Sequence, residues 1–314
     1  MRRAALALVL VASSARADHG GFLHRLAHEA QAKVDAAIAA RKPTLVPPVA
    51  IAVKWRPVKL ASLDLGAPLV AMTAADLDGD GRAELYAVTM RDVIAIGWRG
   101  RHLDELARVA FAGDAAQPVP RDPVGTAVID GGALIASSSA FARAMRVTWQ
   151  GKALVSAPGE PDFELCPGEH VHLAPGRNYF ESGTYGVRCR DLVGKSGAPL
   201  HVRGELATTG HLAVDAGTVH FDVPEVGVAF ELADLDRDGT PEVIYAGAGA
   251  PGDPDTVKVV SVGGDVRRPR WKKPFAAGGV AGLAIGDLDG DRVAETIAAV
   301  RLVGATRVDL WRLE

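Results

Sequence analysis

Residues 76–84 carry the most informative pattern in this 314-residue sequence, reading Asp76-Leu77-Asp78-Gly79-Asp80-Gly81-Arg82-Ala83-Glu84. Acidic side chains stand at the first, third, fifth and ninth positions of this stretch. The same spacing returns in residues 234–242 and in residues 287–295. Each copy follows a run of small apolar residues and precedes a β-rich run, so the sequence predicts a repeated unit of strand, acidic loop and strand.

The distances between the copies predict the number of units. Asp234 and Asp287 are about 53 residues apart, and Asp76 and Asp234 are about three times as far apart. Two eroded copies are therefore expected between them, one over residues 126–149 and one around residues 177–193. Five units of about 52 residues, each a small antiparallel sheet, predict an all-β fold: a β-propeller of about five four-stranded blades.

The ends of the repeat region predict how the ring closes. The last unit stops after its third strand, at Leu313, whereas residues 49–57 form a strand-like run before the first unit. We expect Val49–Pro57 to pair with the last blade as its fourth strand, which would tie the two ends of the propeller together.

The acidic loops have the composition of calcium sites. Calcium takes six to eight oxygen ligands, and carboxylates at alternate positions of a tight loop converge on one point. The seventh residue of each loop can add a backbone carbonyl, and the ninth adds a carboxylate from the start of the next strand. The predicted ligands are Asp76, Asp78, Asp80, Arg82 and Glu84; Asp234, Asp236, Asp238, Thr240 and Glu242; and Asp287, Asp289, Asp291, Val293 and Glu295.

The three loops differ from an EF-hand and from one another. An EF-hand needs Glu at its twelfth position, where these loops have Ala87, Tyr245 and Ala298. We expect Ca²⁺ in the first two loops. In the third loop Arg292 replaces a glycine at a position where a left-handed backbone is expected, so this loop is the weakest of the three predicted sites.

These loops resemble the calcium loops of FG-GAP or VCBS repeat proteins, the repeat that also builds the integrin α-subunit propeller. Gly249-Ala250-Pro251, after the second loop, is similar to the element that gives FG-GAP its name. The resemblance covers residues 55–314 but is specific in three of the five units, and the chain is too short for the seven blades of an integrin. It implies a calcium-stabilised extracellular propeller that serves as a binding or scaffold module.

The N-terminal region predicts export. Arg2 and Arg3 precede an apolar run, Ala4–Ala12, and residues 15–17 form an A-x-A-like cleavage site. Residues 1–17 are therefore expected to be a signal peptide, and residues 18–48 an amphipathic helix (residues 22–41) with a Pro-rich linker. The propeller is expected to take residues 49–314. The Ala- and Arg-rich composition suggests a bacterial protein that is secreted or periplasmic.

The predicted export bears on the two cysteines of the sequence. In an oxidising compartment Cys166 and Cys189 can close a disulfide, and the segment between them has few periodic apolar positions. We expect the disulfide, with two buried thiols as the alternative.

The net charge and the absence of known catalytic motifs reduce the number of function classes that fit the sequence. The net charge of −3 offers no bulk attraction for nucleic acid, and no stretch is long enough for a membrane span. The sequence contains no G-x-S-x-G, Walker or dinucleotide motif, so no catalytic residue is assigned. A non-enzymatic module that binds a protein or a glycan is favoured, and the alternative is a propeller-scaffold enzyme acting on polysaccharide as a lyase or hydrolase.

Two weaker signals remain. His170 and His172 would lie on one face of a strand and could begin a transition-metal site, although a surface histidine pair is favoured. Tryptophans recur near strand ends, where packing is favoured over a sugar-stacking surface; these are Trp55, Trp98, Trp149, Trp271 and Trp311.

Overall fold

A computed structural model provides the structure of this protein. It describes Lys33 and residues 45–100, 102–112, 123–141, 143–172, 183–249, 253–301 and 306–313. Except for helical Lys33, the described residues form strands, turns and loops. The predicted signal peptide lies outside the described residues, and so does the predicted N-terminal helix apart from Lys33. Of the segment Gly249-Ala250-Pro251, the structure describes Gly249 alone.

The described residues form twenty-two strands, all within a compact unit of residues Val46–Glu314. The first eleven are β1 (Pro57–Asp64), β2 (Leu69–Ala75), β3 (Glu84–Thr89), β4 (Asp92–Arg99), β5 (His102–Ala110), β6 (Gly125–Asp130), β7 (Ala133–Ser138), β8 (Met145–Gln150), β9 (Ala153–Pro158), β10 (Phe163–Cys166) and β11 (Glu169–Val171). The others are β12 (Thr184–Val193), β13 (Pro199–Ala207), β14 (Leu212–Ala216), β15 (Val219–Val223), β16 (Val226–Ala233), β17 (Glu242–Gly247), β18 (Asp255–Ser261), β19 (Trp271–Phe275), β20 (Gly279–Gly286), β21 (Glu295–Arg301) and β22 (Arg307–Leu313).

These strands form a β-propeller with five four-stranded antiparallel blades. Blade 1 is β2–β5, blade 2 is β6–β9, blade 3 is β12–β15, and blade 4 is β16–β19. Blade 5 has the order β20-β21-β22-β1, so its outermost strand comes from the N-terminal side of the propeller. The predicted fold class and blade number are confirmed.

The ring contains one further element, the two-stranded hairpin β10–β11. The first strand of each blade is innermost and contacts the first strand of the neighbouring blade. Between blades 2 and 3, β10 contacts both β6 and β12. The hairpin therefore fills a place in the ring that a whole blade would otherwise occupy.

The core lies between the blades. Four large apolar clusters join blades 5 and 1, blades 1 and 2, blades 3 and 4, and blades 4 and 5, and at the hairpin the described residues form a small cluster around Phe163 and Val187. The predicted disulfide is confirmed there, because Cys166 of β10 is joined to Cys189 of β12. A hairpin of this size buries too little apolar surface to hold its own place, so the covalent link supports the weakest seam of the ring.

The closing strand was predicted in the wrong segment. Residues 45–56 form no strand, and the strand that closes blade 5 is β1, which pairs with β22 from Pro57↔Leu313 to Asp64↔Arg307. One aromatic residue of the earlier segment packs on blade 4, because the ring of Trp55 stacks on that of Trp271 at 5.6 Å. The prediction that the N-terminal side supplies the fourth strand of the last blade holds, with this correction.

The packing interpretation of the tryptophans is confirmed. All five are partly buried against the apolar clusters between blades: Trp55, Trp98, Trp149, Trp271 and Trp311. Trp149 Nε1 also donates a hydrogen bond of 2.7 Å to the Tyr86 hydroxyl, which links blade 2 to blade 1.

In the part of the chain that the structure describes, no helix has the length and apolarity needed to cross a membrane.

Candidate functional site

The three acidic loops lie side by side. The first loop (76–84), the second loop (234–242) and the third loop (287–295) each join the innermost strand of a blade to its second strand, in blades 1, 4 and 5. Neighbouring loops are linked directly: Ala83 N donates to Asp287 O at 2.7 Å, and the Arg237 guanidinium donates to the Arg292 carbonyl. The loops form one continuous rim on a single face of the propeller.

The other blades have shorter connections at this place. Blade 2 turns from β6 to β7 through Gly131 and Gly132 alone, and the hairpin turns through Pro167 and Gly168. This explains why the eroded unit over residues 126–149 has one aspartate, Asp130, at the start of its turn and no further acids: the turn is too short to carry them.

The first aspartate of each loop holds the backbone of its own turn. Asp76 accepts hydrogen bonds from Gly79 N at 2.8 Å and from Gly81 N at 3.0 Å, and Asp287 accepts the equivalent pair from Gly290 N and Arg292 N. Asp234 accepts from Asp238 N and Gly239 N, so one of its two donors lies one residue later in the loop. The first and third loops therefore share one hydrogen-bond pattern, and the second loop differs from it in one donor.

Two positions in each loop have a left-handed backbone. In the first loop both are glycines, Gly79 and Gly81, with φ of 80° and 90°. In the second loop Arg237 takes the earlier position with φ 55°, and in the third loop Arg292 takes the later one with φ 71°. The left-handed conformation predicted at position 292 is confirmed, and arginine adopts it at a cost in strain.

The ninth residue of each loop is a buried glutamate. The side chains of Glu84, Glu242 and Glu295 lie at the starts of β3, β17 and β21, and these residues are at most 4% exposed. Each accepts a hydrogen bond from the backbone NH of the loop's second residue. Burial, with repulsion from neighbouring aspartates, raises the pKa of each of the three carboxyls to about 7.

The predicted acidic ligands come together to different extents. Carboxylate oxygens within 4.8 Å of one another are contributed by four residues in the first loop, four in the third and three in the second: Asp76, Asp78, Asp80 and Glu84; Asp287, Asp289, Asp291 and Glu295; Asp234, Asp236 and Glu242. Asp238 is not part of the second set. At the predicted carbonyl positions, the NH groups of Arg82, Thr240 and Val293 donate to the loop's third aspartate.

Cationic side chains distinguish the loops further. Among the residues that the structure describes, no Lys, Arg or His forms an ion pair with the four acids of the first loop. In the second loop Arg270 contacts Asp236 and Glu242 at 2.5 and 2.7 Å. In the third loop Arg312 contacts Asp289 and Glu295 at 3.2 and 3.9 Å.

Sequence reasoning missed both arginines. Arg270 follows Glu242 by 28 residues and stands before an outer strand, and nothing in the local sequence marks its side chain as directed at a loop. The contacts of both arginines depend on the sheet register, which places the third and fourth strands of a blade beside the acidic loop.

The histidine pair stays at the surface. His172 Nδ1 lies 3.1 Å from Asp162 Oδ1 and is exposed. Cys166, Cys189 and Glu169 lie close together, but both sulfurs are in the disulfide and do not offer thiolate ligands.

Blade 3 presents a polar face beside the hairpin. One side of this blade packs on blade 4 through the side chains of Val202, Leu206 and Val214. The other side carries a shallow cavity of about 180 Å³, lined by Arg203, Glu205, Ala207, His211, Ala213 and Asp215. Arg203 also pairs with Glu169 of the hairpin at 2.8 Å, which shows that this face lies toward the truncated place in the ring.

Comparisons with known proteins found matches among solved structures. No family model and no curated protein matches the sequence. A crystal structure of BBS1N in complex with ARL6DN is similar with a TM-score of 0.45 and 11% identity, covering 83% of this chain and 98% of that one. AofleA from Arthrobotrys oligospora has a TM-score of 0.47 and 12% identity, covering 87% and 94%. The SapL1 lectin in complex with alpha methyl fucoside has 0.32 and 12%, covering 77% and 78%.

The fold and the site define the class of this molecule. It is a β-propeller of five four-stranded blades that carries three acidic loops on one face and a polar cavity on blade 3.

Proposed function

We propose that this protein is an exported calcium-binding β-propeller that acts as a non-enzymatic module for binding a protein or a glycan. The observation that carries the calcium proposal is the first loop. Its four carboxylates converge within 4.8 Å, and no cationic side chain in the described part of the chain pairs with them. Four carboxylates so close repel one another, and a bound dication is the natural compensation.

The chemistry of the first loop suits calcium. Asp76, Asp78 and Asp80 are exposed, so the ion can enter from solvent and retain water ligands, while buried Glu84 supplies an oxygen from below. Flexible oxygen coordination is typical of Ca²⁺, whereas Mg²⁺ requires a smaller octahedral shell. The third loop offers the same four carboxylates and is the second candidate, with Arg312 at its edge.

The calcium proposal is tested by thermal unfolding with and without chelation. Each occupied site stabilises the folded state by about 2.7 kcal/mol when free calcium is about 100 times the dissociation constant. EGTA should therefore lower the melting temperature, and Asp78→Asn should remove the first loop's share of the calcium response. Asp104→Asn is a matched control, because this aspartate is also exposed but lies on β5, pairs with Arg99 and is not one of the four convergent carboxylates. An unchanged melting curve in EGTA would contradict the proposal.

The binding role is supported by the polar cavity on blade 3. Its charged and hydrogen-bonding side chains suit a polar ligand, and the exposed face beside the hairpin leaves room for one. A glycan array and a purified-protein interaction screen should identify a ligand whose binding is weakened by Asp215→Ala and not by Asp104→Ala. Equal binding by both variants would remove the cavity from the proposal.

A further inference from the structure

The second loop already contains a cation of its own. Arg270 stands immediately before β19, and its guanidinium reaches across the blade to the acidic loop. Nη2 lies 2.5 Å from Asp236 Oδ2 and Nη1 lies 2.7 Å from Glu242 Oε1. Nη1 also lies 3.3 Å from the Ser261 hydroxyl. Both carboxylates therefore have a charge-assisted hydrogen bond, the strongest kind available in a protein.

The carboxylates held by Arg270 are those that a calcium ion would need. Asp236 and Glu242 are the third and ninth residues of the loop, equivalent to Asp78 and Glu84 in the first loop. Calcium must approach its oxygen ligands to about 2.3–2.6 Å. An ion at that distance from Asp236 Oδ2 and Glu242 Oε1 would stand against the guanidinium, so like charges would be brought into contact.

Removing Arg270 from the loop would also be unfavourable. Glu242 is fully buried, and a buried carboxylate that loses its partner is strongly destabilising unless the incoming ion replaces every contact. Asp238, which would supply one of the replacing ligands, is outside the convergent set of this loop. The residues present therefore do not fit a calcium ion together with Arg270.

We infer that the Arg270 guanidinium is the resident cation of the second loop, which consequently binds no calcium. This inference differs from the expectation that the first and second loops are the two principal calcium sites, and it leaves the first loop as the principal site. It rests on the proposed function for the comparison with the first loop, where Glu84 accepts a hydrogen bond from the neutral Tyr86 hydroxyl at 2.8 Å instead of an ion pair.

The third loop provides an internal comparison. Arg312 comes from β22 and reaches the same two loop positions, but its contacts with Asp289 and Glu295 are longer, at 3.2 and 3.9 Å. All four carboxylates of the third loop still converge. The loops thus form a series: the first has no paired arginine among the described residues, the third has Arg312 at its edge, and the second has Arg270 between its carboxylates.

The first test separates calcium-dependent from calcium-independent stabilisation. Thermal unfolding of Asp78→Asn and Asp236→Asn is measured in calcium and in EGTA. Asp78→Asn should lower the melting temperature in calcium and change it little in EGTA. Asp236→Asn breaks the pair with Arg270, so it should lower the melting temperature by the same amount in both. A loss for Asp236→Asn that appears only in calcium would overturn the inference.

The second test asks whether removing the arginine opens the site. Bound calcium per chain is counted by equilibrium dialysis for the wild type and for Arg270→Gln, which removes the charge and keeps a polar side chain. The variant should bind one more calcium per chain, and Asp236→Ala in the same background should abolish the gain. A folded Arg270→Gln protein with no gain would overturn the inference, and the Asp236→Asn measurement decides the question if this variant does not fold.

The two proposals fail in different ways. A wild type that binds no calcium, together with an Arg270→Gln variant that binds one ion, would refute the proposed calcium site of the first loop and support the inference about the second. If Asp78→Asn and Asp236→Asn each reduce calcium binding by the same amount, the result would support the proposed calcium site of the first loop and refute the inference about the second.

Discussion

Arg270 and Arg312 contact the same two positions of two different acidic loops, although they come from different strands of their blades. Arg270 precedes the outermost strand of blade 4, whereas Arg312 lies in the third strand of blade 5. In both loops the guanidinium is near the third and ninth residues. Repulsion among the carboxylates recurs in each loop. In the second and third loops an arginine from a different strand position offsets it, and in the first loop no arginine of the described residues does so.

The left-handed positions of the loops give a prediction about stability. Arg292 adopts φ 71° where the first loop has Gly81, and a side chain there costs about 1 kcal/mol or more in strain. Arg292→Gly should relieve the strain and raise the free energy of unfolding by about 0.5–1 kcal/mol, because the added freedom of the unfolded chain offsets part of the gain. Urea unfolding in EGTA measures the change.

Arg237 is the matched comparison for that experiment. It also has a positive φ, of 55°, but its guanidinium donates a hydrogen bond to the Arg292 carbonyl of the neighbouring loop. Arg237→Gly should therefore gain less than Arg292→Gly. A larger gain at position 237 would mean that the link between the loops contributes nothing.

The sequence predicted the parts of the fold that local patterns determine. The apolar run 68–74 and the β-rich run 85–89 that flank the first loop in the sequence differ by at most one residue at either end from β2 at Leu69–Ala75 and β3 at Glu84–Thr89. The loops set these boundaries because their aspartates hydrogen-bond to their own turns.

The sequence did not predict features that depend on distant contacts. The closing strand is β1 and not the strand-like run 49–57, and the alternation of β1 is interrupted by a register shift between Lys59 and Ala61. The hairpin β10–β11 has no acidic loop to mark it. The ion pairs of Arg270 depend on the register of a whole blade, which no local pattern contains.

The disulfide gives a prediction about the weakest seam of the ring. Cys166 and Cys189 are 23 residues apart and connect the hairpin to blade 3. In the chain-entropy account, losing a link that closes a loop of this size costs about 3 kcal/mol. The double variant Cys166→Ser, Cys189→Ser should lose about that much in urea unfolding.

The reducing agent dithiothreitol supplies the control. It should destabilise the wild type toward the level of the double serine variant and leave the variant unchanged. If the variant keeps the stability of the oxidised wild type, the small apolar cluster of the hairpin is sufficient by itself to hold the seam.

The closure of the ring gives a prediction about truncation. β1 pairs with β22 along its length, and Lys59 and Ser62 both bind the carboxylate of Asp309 at 2.7 and 2.5 Å. Deleting residues 1–64 should expose the edge of β22 and cause aggregation, because an unpaired edge is a template for other strands. Deleting residues 1–48 leaves β1 in place and should give a soluble monomer in size-exclusion chromatography. Aggregation of both truncations, or of neither, would contradict this role of β1.

The buried glutamate of the first loop predicts how the metal-free protein responds to pH. Burial raises the pKa of Glu84 from an ordinary value of 4.5 to about 7. Between these values the folded protein binds more protons than the unfolded chain, so the free energy of unfolding falls as the pH rises from about 4.5 to 7 and levels off above that. Glu242 and Glu295 have the same shift, for the same reason, and add to the slope.

Glu84→Gln isolates the contribution of this one carboxyl. Glutamine keeps the size of the side chain and an oxygen that can accept from Leu77 N and the Tyr86 hydroxyl, but it does not ionise. The variant and the wild type should have similar stability in EGTA near pH 5, and the variant should be the more stable by on the order of 2 kcal/mol at pH 8. Urea unfolding across this range measures the difference. In saturating calcium the order at pH 8 should reverse, because the wild type then has a cation beside the ionised carboxylate and the variant has lost a ligand. Two parallel stability profiles in EGTA would mean that Glu84 ionises in the folded protein as readily as in the unfolded chain.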